Sequence, residues 1–240
     1  MAFNKRINSD VTYCPIFCLK DNDAKKRPTC SAAYAGVREH DMIERAFQVF
    51  GKESFQNGIF YRQENCIRLG LSDDGVESKS YIKMFTVALE RATRIIELAF
   101  EKSEKVSICY AFPGDSMISN LSSFRDLKSM GLSIPNDYGI FREWVEDDEW
   151  NRNYLFFQIN KSELHKCIFG VLGAELGIEP SCGFDLYLYD EQAGILVNPY
   201  DDRGLDIVGL TKEPIKRIYD AFPECHLKYD YIIHKMEACF

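Results

Sequence analysis

The period of hydrophobic and polar positions changes most clearly between Gly183 and Phe222. Residues 184–189 alternate between an apolar set and a set of Asp and Tyr, which is the period of a strand with one buried face. The apolar run 195–197 predicts a second strand, and Pro199, which has no amide hydrogen to donate, predicts the end or the edge of that strand. The segment therefore begins with two strands joined by a polar turn.

The rest of this segment predicts a tight turn, a short strand and a helix. The turn is the Asp-Asp-Arg-Gly stretch 201–204, because Asp side chains accept hydrogen bonds from nearby amides and Gly tolerates positive φ, which we expect at Gly204. Residues 205–208 are apolar enough for a strand. After Thr211, a residue type that caps helices, apolar residues recur at helical spacing as Ile215, Ile218, Tyr219 and Phe222.

The same two-residue and helical periods predict further strands and helices along the chain. The stretch 58–71 predicts a hairpin that turns at residues 64–65, with Arg62 and Arg68 on or near an exposed face. Because strands and helices do not alternate regularly, the pattern favours an α+β fold with a mixed or antiparallel sheet and packed amphipathic helices. Further helices are predicted over 41–50, 80–100, 121–130 and 160–177, and further strands over 106–112 and 154–159.

Composition narrows the class of protein. The 240 residues carry a net charge of −8, which argues against nucleic acid as a direct ligand, because phosphate contacts need clustered Lys and Arg. No apolar run is long enough to span a membrane, and the N-terminus lacks the apolar core of a secretory signal. We therefore expect a cytoplasmic protein with no membrane partner, and the residues indicate no cofactor.

The nine cysteines are odd in number and irregularly spaced, which predicts reduced thiols. Cys14, Cys18 and Cys30 with His40 could supply zinc ligands, but their spacing matches no common zinc finger, so an irregular arm without metal is the favoured interpretation. No Cys, His or Ser stands at the spacing of a catalytic motif, and we predict no catalytic residue. Three thiols in apolar segments are expected in the core, namely Cys66, Cys109 and Cys167.

The most acidic segment, Glu143–Trp150, holds four consecutive carboxylates between two tryptophans. One interpretation is a solvated loop. The other is a surface that docks a basic protein, in which charge speeds encounter and the tryptophans anchor the interface. The predicted partner-binding residues are Trp144, Glu146, Asp147, Asp148, Glu149 and Trp150.

A second group of carboxylates surrounds the predicted turn. We predict a structural role, in which Arg203 pairs with Asp185 or Asp206 and holds the strands together. The alternative is a metal-dependent hydrolase using Asp185, Asp202 and Asp206, because clustered carboxylates bind Mg²⁺ and transfer protons. Three tyrosines could rim a pocket there, namely Tyr187, Tyr189 and Tyr200. The predicted structural motif consists of Asp185, Asp201, Asp202, Arg203, Gly204 and Asp206.

From about Gly58 onward the chain resembles the bacterial domain-of-unknown-function 3885 family. The resemblance rests on the pieces GIFYRQENCIRLGL, ALERATRIIELAF and LGIEPSCGFDLYLYD, and most specifically on PYDDRGLDIVGLTKEPIKRIYDAF followed by LKYDY. It implies one α+β domain over residues 58–240, preceded by an N-terminal extension with one helix over residues 1–57.

The resemblance implies no established activity, but some similar small acidic bacterial proteins act as immunity proteins for secreted toxins. We therefore predict that the chain is not an enzyme. It would bind a protein partner, a cognate toxin such as a basic nuclease, and neutralise that toxin by occlusion. The metal-dependent hydrolase described above is the alternative.

Overall fold

The computed structural model describes residues 36–72, 80–114, 124–145 and 150–240. They form a seven-stranded antiparallel sheet with helices packed on it, which confirms the predicted α+β class. Within these ranges no helix is long and apolar enough to cross a membrane. The helices are α1 (Gly36–Phe50), α2 (Ile59–Arg62), α3 (Tyr81–Ala99), α4 (residues 124–129), α5 (Leu164–Ala174), α6 (Lys212–Ala221) and α7 (Asp230–Cys239). The strands are β1 (Cys66–Gly70), β2 (Lys105–Pro113), β3 (Gly139–Val145), β4 (Trp150–Asn160), β5 (Asp185–Asp190), β6 (Ile195–Asp201) and β7 (Gly204–Gly209).

The strands lie in the order β1-β7-β6-β5-β2-β4-β3, and every neighbouring pair is antiparallel. Three pairs are hairpins of consecutive strands: β3 with β4, β5 with β6, and β6 with β7. The remaining pairs join distant parts of the sequence, as when β1 pairs with β7. This order makes β5 and β6 interior strands, and it brings the sequence-distant strand β1 beside the Asp-rich turn.

Two layers cover the sheet. On one face, rings from the N-terminal segment pack edge to face on strand β4, with Phe47 and Phe55 centred 5.7 and 5.6 Å from Phe156. The other face is covered by α3, α5 and α6, whose apolar stripes are buried. Because both faces are covered, the prediction that β5 has a single buried face is wrong. Tyr187 and Tyr189, expected on its exposed side, are fully buried.

Helix α1 confirms the predicted N-terminal helix, and it ends where Gly51 takes a φ of +79°. After it, a single 3-10 turn buries Phe55. Phe50 and Phe55 enter the same core as the sheet, where their rings lie 5.8 and 5.6 Å from that of Tyr189. The domain boundary at residue 57 stays a prediction, and the described residues before it share the core with those after it.

The predicted hairpin over residues 58–71 is wrong in its first arm. Strand β1 is present, but Ile59–Arg62 forms the short helix α2, entered through Gly58 at a φ of +75°. Two distant groups hold this helix. The Phe60 amide donates to the Asp206 carboxylate at 3.3 Å, and the Lys235 ammonium donates to the Phe60 carbonyl. A segment as short as Ile59–Arg62 fits a strand or a helical turn equally, so these tertiary partners decide the outcome.

The long amphipathic helices are confirmed. Helix α3 is capped by Ser80, whose hydroxyl accepts a hydrogen bond from the Lys83 amide. Helix α6 buries Ile215 and Ile218 as predicted. The expectation for Pro199 is wrong, because it lies inside the interior strand β6. The ladder between β5 and β6 extends only to Val197, so the missing amide of the proline removes no bond to β5.

Candidate functional site

Several strand ends and turns meet at one end of the sheet, which we call the charged end. The registers place Gly70 beside Gly204, and they place the start of β5 at the same end of the sheet. The end of β3 and the start of β4 also lie at this end, since Val145 pairs with Trp150 and Pro113 pairs with Arg152. The described residues that flank the predicted docking segment therefore lie at the same end of the sheet as the predicted Asp motif, but toward the edge opposite β1.

The first ion pair of the charged end joins Arg68 of β1 to Asp206 of β7. The Arg68 Nε and Nη2 atoms donate to the two Asp206 oxygens at 2.6 and 2.8 Å. The guanidinium also lies over the rings of Phe60, Tyr61 and Tyr200, with its carbon 4.8 to 5.3 Å from the ring centroids. The sequence predicts Arg68 on or near an exposed face, and these partners leave its side chain 14% exposed. Burial alone would lower the pKa of the Arg68 guanidinium, but the hydrogen bonds and charge of Asp206 raise it above its usual range.

The second ion pair joins Arg152 of β4 to Asp185 of β5. Arg152 also donates to the Tyr187 hydroxyl and to the Asn57 side-chain oxygen, each at 3.3 Å. Burial raises the pKa of the Asp185 carboxyl above its usual range, although the Arg152 charge and the hydrogen bonds from Arg152 and Asn57 act in the opposite direction. Asp185 is thus a partly buried carboxyl group whose pKa is raised by burial and lowered by its partners.

The third ion pair lies within the β6–β7 turn and corrects the predicted partner of Arg203. This side chain pairs with Asp201, not with Asp185 or Asp206. One Asp201 oxygen accepts the Arg203 amide at 2.8 Å, and the other accepts its Nε at 2.8 Å. The amide bond is the local contact that makes Asp common in turns. Burial and the charge of Asp201 raise the pKa of Asp202 above its usual range.

Gly204 is required for a different reason from the one the sequence suggests. Its φ is not in the left-handed region, so the predicted positive φ is wrong. A Cβ atom at this position would lie 2.2 Å from the Tyr200 hydroxyl oxygen and 2.9 Å from the Leu69 carbonyl oxygen. The need for glycine therefore comes from the close approach of β1 and of the Tyr200 side chain.

Every residue of the three ion pairs except Arg152 lines a groove with a volume of about 570 Å³. One wall is polar and includes Asn57, Arg68, Asp185, Asn198, Asp201, Arg203 and Asp206. The lining also has an apolar and aromatic part, which consists of Leu227, Tyr229, Tyr231 and Ile232, with Tyr200 also lining the groove. The volume lies within the range of small-molecule sites, roughly 300–1,000 Å³.

Exposed tyrosines form the rim of the groove on its aromatic side. Tyr61, Tyr229 and Tyr231 are 62, 55 and 52% exposed. The Tyr231 ring lies nearly parallel to the other two, with centroids 6.3 Å from Tyr61 and 6.1 Å from Tyr229. These three rings, which we call the tyrosine rim, present flat apolar surface to solvent beside the ion pairs. The predicted pocket tyrosines Tyr187 and Tyr189 are instead buried in the core, whereas Tyr200 lines the groove.

The predicted partner-binding segment is described only in part. Residues 146–149, which include Glu146, Asp147, Asp148 and Glu149, lie outside the described residues. Trp144 and Trp150 belong to β3 and β4, where Trp144 pairs with Asn151. The preceding Glu143 accepts hydrogen bonds from Lys52 at 2.7 Å and from the Tyr154 hydroxyl at 3.3 Å.

The sulfur and imidazole groups do not assemble into a reactive centre among the described residues. Cys66, Cys109 and Cys167 are buried as predicted, and burial raises the pKa of each thiol. His226 stacks on Tyr219 with ring centroids 3.7 Å apart. In the described part of the chain no three His, Cys, Asp or Glu side chains are placed to hold a metal ion. Cys14, Cys18 and Cys30 lie outside the described residues, and so does the side chain of His40.

The sequence does not predict several residues of the charged end and its groove. Asn57, Arg152 and Asn198 received no role, because each stands alone in its segment and meets the Asp motif only through the sheet. Tyr229 and Tyr231 belong to the LKYDY piece that supports the family resemblance. Two tyrosines that flank an aspartate at the start of a helix are a signal for an exposed aromatic surface that could have been used.

Comparison with known proteins gives a family and no activity. The family model described as Domain of unknown function (DUF3885) matches residues 42–230, and this range includes every residue named in the groove except Tyr231 and Ile232. No curated protein matches the chain. No solved structure matches it either.

Proposed function

The chain belongs to the DUF3885 family, whose function is unknown, and we propose that it is an immunity-type protein of the bacterial cytoplasm. In this role it binds a cognate basic toxin, such as a nuclease, and neutralises it by covering the toxin's surface. The charged end of the sheet is the proposed contact surface. The protein would act by binding alone and would transform no substrate.

The observation that carries this proposal is the position of the tyrosine rim beside the charged groups. Tyr and Arg are the residues most often responsible for binding energy at protein interfaces, and carboxylates around them steer a basic partner. The acidic residues 146–149 lie in the sequence between Val145 of β3 and Trp150 of β4; these strands belong to the edge of the sheet opposite β1. On a chain that carries a net charge of −8, the charged end combines aromatic anchors with negative charge.

The hydrolase alternative has less support from the geometry. Asp206 already accepts two hydrogen bonds from Arg68 and one from Phe60, so its oxygens are committed. Asp185 is paired with Arg152. A magnesium site needs several carboxylate oxygens that converge on one point, and these carboxylates instead face separate arginines.

Co-expression with the products of the adjoining genes tests the proposal. The tagged chain should co-purify with one of them at ~0.05 M salt and lose much of that partner at ~0.5 M salt. Reversing the charges of residues 146–149 should slow association, and Tyr231→Ala should weaken the complex by about 2 kcal/mol if the ring is an anchor. Tyr81→Ala is the matched control, because Tyr81 is also more than half exposed but lies on α3.

Two results would contradict the proposal. One is the absence of any co-purifying product together with growth protection that survives the charge reversal. The other is turnover of phosphoesters with Mg²⁺ that Asp202→Asn abolishes, which would favour the hydrolase.

A further inference from the structure

Each carboxylate that lines the groove is paired with an arginine, although Arg152 does not itself line the groove. Three arginines and three aspartates are paired one to one, through Arg68 with Asp206, Arg152 with Asp185, and Arg203 with Asp201. A small anion would meet a carboxylate beside every guanidinium, and a small cation would meet a guanidinium beside every carboxylate. The paired groups instead offer hydrogen-bond donors and acceptors held at fixed positions, which suits an uncharged polar ligand.

One side chain in the polar wall has an open acceptor. Asn198 is only 4% exposed, and its Nδ2 donates to the Leu186 carbonyl at 2.8 Å. This bond fixes which end of the amide faces the protein. No described residue donates to the Asn198 side-chain oxygen, and Asn198 lines the groove. This oxygen is not one of the buried atoms that lack a partner, so it is open to the groove, where a ligand hydroxyl can donate to it.

The apolar and aromatic part of the groove favours a ligand that also has an apolar surface. Tyr229 and Tyr231 are nearly parallel and half exposed, and Leu227 and Ile232 continue the wall inward. Flat aromatic surface attracts the C–H groups of a ring that lies against it. The ligand must therefore combine a flat apolar face, hydroxyl groups along its edge and no net charge.

These three requirements describe a sugar ring, and we propose that the groove binds a neutral saccharide. The pyranose would lie with its C–H face on Tyr229 and Tyr231. Its hydroxyls would donate to Asn198 and Asp185 and accept from Arg68. A volume of about 570 Å³ accommodates a short oligosaccharide. This site does not depend on the proposed toxin partner.

Titration calorimetry of the purified full chain with chitotriose, cellotriose, maltotriose and mannotriose tests the proposal. We expect at least one of them to bind, with an affinity that changes less than about twofold between ~0.05 and ~0.5 M salt. Tyr231→Ala should weaken binding about tenfold or more, the usual order of effect for removing one stacked ring. Tyr81→Ala, at an exposed tyrosine of α3, should bind as the natural chain does.

A second arm separates free from polymeric sugar. The chain is sedimented with chitin, cellulose and cell-wall peptidoglycan, with and without the trisaccharide that binds. Retention on a polymer that the trisaccharide relieves would assign the ligand to the polymer, and binding of the trisaccharide alone would assign it to a free oligosaccharide.

The proposal is overturned if none of the four sugars binds, or if binding survives both Tyr229→Ala and Tyr231→Ala. It is also overturned if an uncharged proline-rich peptide displaces the sugar with higher affinity, because the aromatic wall would then be a peptide site. Salt-sensitive binding of a toxin without any sugar binding would contradict the saccharide proposal but would support the proposed function.

Discussion

Replacing Arg68 by alanine should be among the most destabilising single changes in the protein. The substitution removes both short hydrogen bonds to Asp206, at 2.6 and 2.8 Å. The carboxylate, which is 1% exposed in the natural chain, keeps only the bond from the Phe60 amide at 3.3 Å. It also removes the guanidinium from above the rings of Phe60, Tyr61 and Tyr200. Removal of one partner from a buried ion pair costs about 3–5 kcal/mol. For a chain of this size that loss lowers the Tm by roughly 10 °C.

The matched control is an exposed ion pair elsewhere in the chain. Lys216 and Asp220 lie one helical turn apart on α6 with their charged atoms 3.0 Å apart, and both are more than half exposed. Asp220→Ala should therefore cost less than about 0.5 kcal/mol. Urea and thermal unfolding followed by circular dichroism measure all of these differences.

The double variant Arg68→Met/Asp206→Leu separates two explanations of the large effect. If the loss in Arg68→Ala comes from an uncompensated buried carboxylate, removing both charges should recover most of it, because apolar residues of similar volume often replace a buried ion pair without loss. A cost below about 1 kcal/mol for Arg68→Ala would refute the placement of Arg68 in a buried pair. A double variant no better than the single one would refute the role of the stranded charge.

Three further predictions follow from the same contacts. Gly204→Ala should cost about 1–3 kcal/mol by overpacking, whereas Gly183→Ala, with no atom within 4 Å of a new Cβ, should be nearly neutral in the same unfolding assay. Burial raises the pKa of the Cys167 and Cys182 thiols to about 12, so Ellman's reagent at pH 8 should modify them only after urea unfolding, and rapid native labelling would contradict this. Burial raises the pKa of Asp185 in the folded state, so the native chain binds that proton more tightly than the unfolded chain. The contribution of Asp185 to the free energy of unfolding should therefore fall as the pH rises above ~3.9. Asp185→Asn should remove this pH dependence.

The elements that the sequence predicts well are those whose periodicity extends over several turns. Helix α3 covers five turns with one apolar stripe, and its ends agree with Ser80 and Phe100. The β6–β7 turn is fixed by contacts within four residues, such as the Arg203 amide on Asp201. Local chemistry determines both, so neighbouring residues are sufficient evidence for them.

The parts that the sequence does not predict depend on partners far along the chain. Arg68 and Asp206 are 138 residues apart, and nothing in either segment indicates that β1 and β7 are neighbours. Helix α2 is held by groups 146 and 175 residues away, on Asp206 and Lys235. The candidate site is thus a property of the strand order, and a single sequence predicts its aspartates and Arg203 without the pairing of Arg68 and Arg152 to those aspartates.

The ion pairs themselves give a reason to regard this end of the sheet as a binding site. A buried ion pair contributes little stability compared with apolar residues of the same volume, so the buried pair of Arg68 and Asp206 beside the groove is poorly explained by stability. If Arg68→Met/Asp206→Leu unfolds at or above the temperature of the natural chain, the pair is not needed for folding. The same variant should then lose affinity for whatever ligand the groove binds, because it removes the groove's donors and acceptors without removing the sheet that carries them. If the variant retains both its stability and its ligand affinity, the pair of Arg68 and Asp206 is needed neither for folding nor for binding.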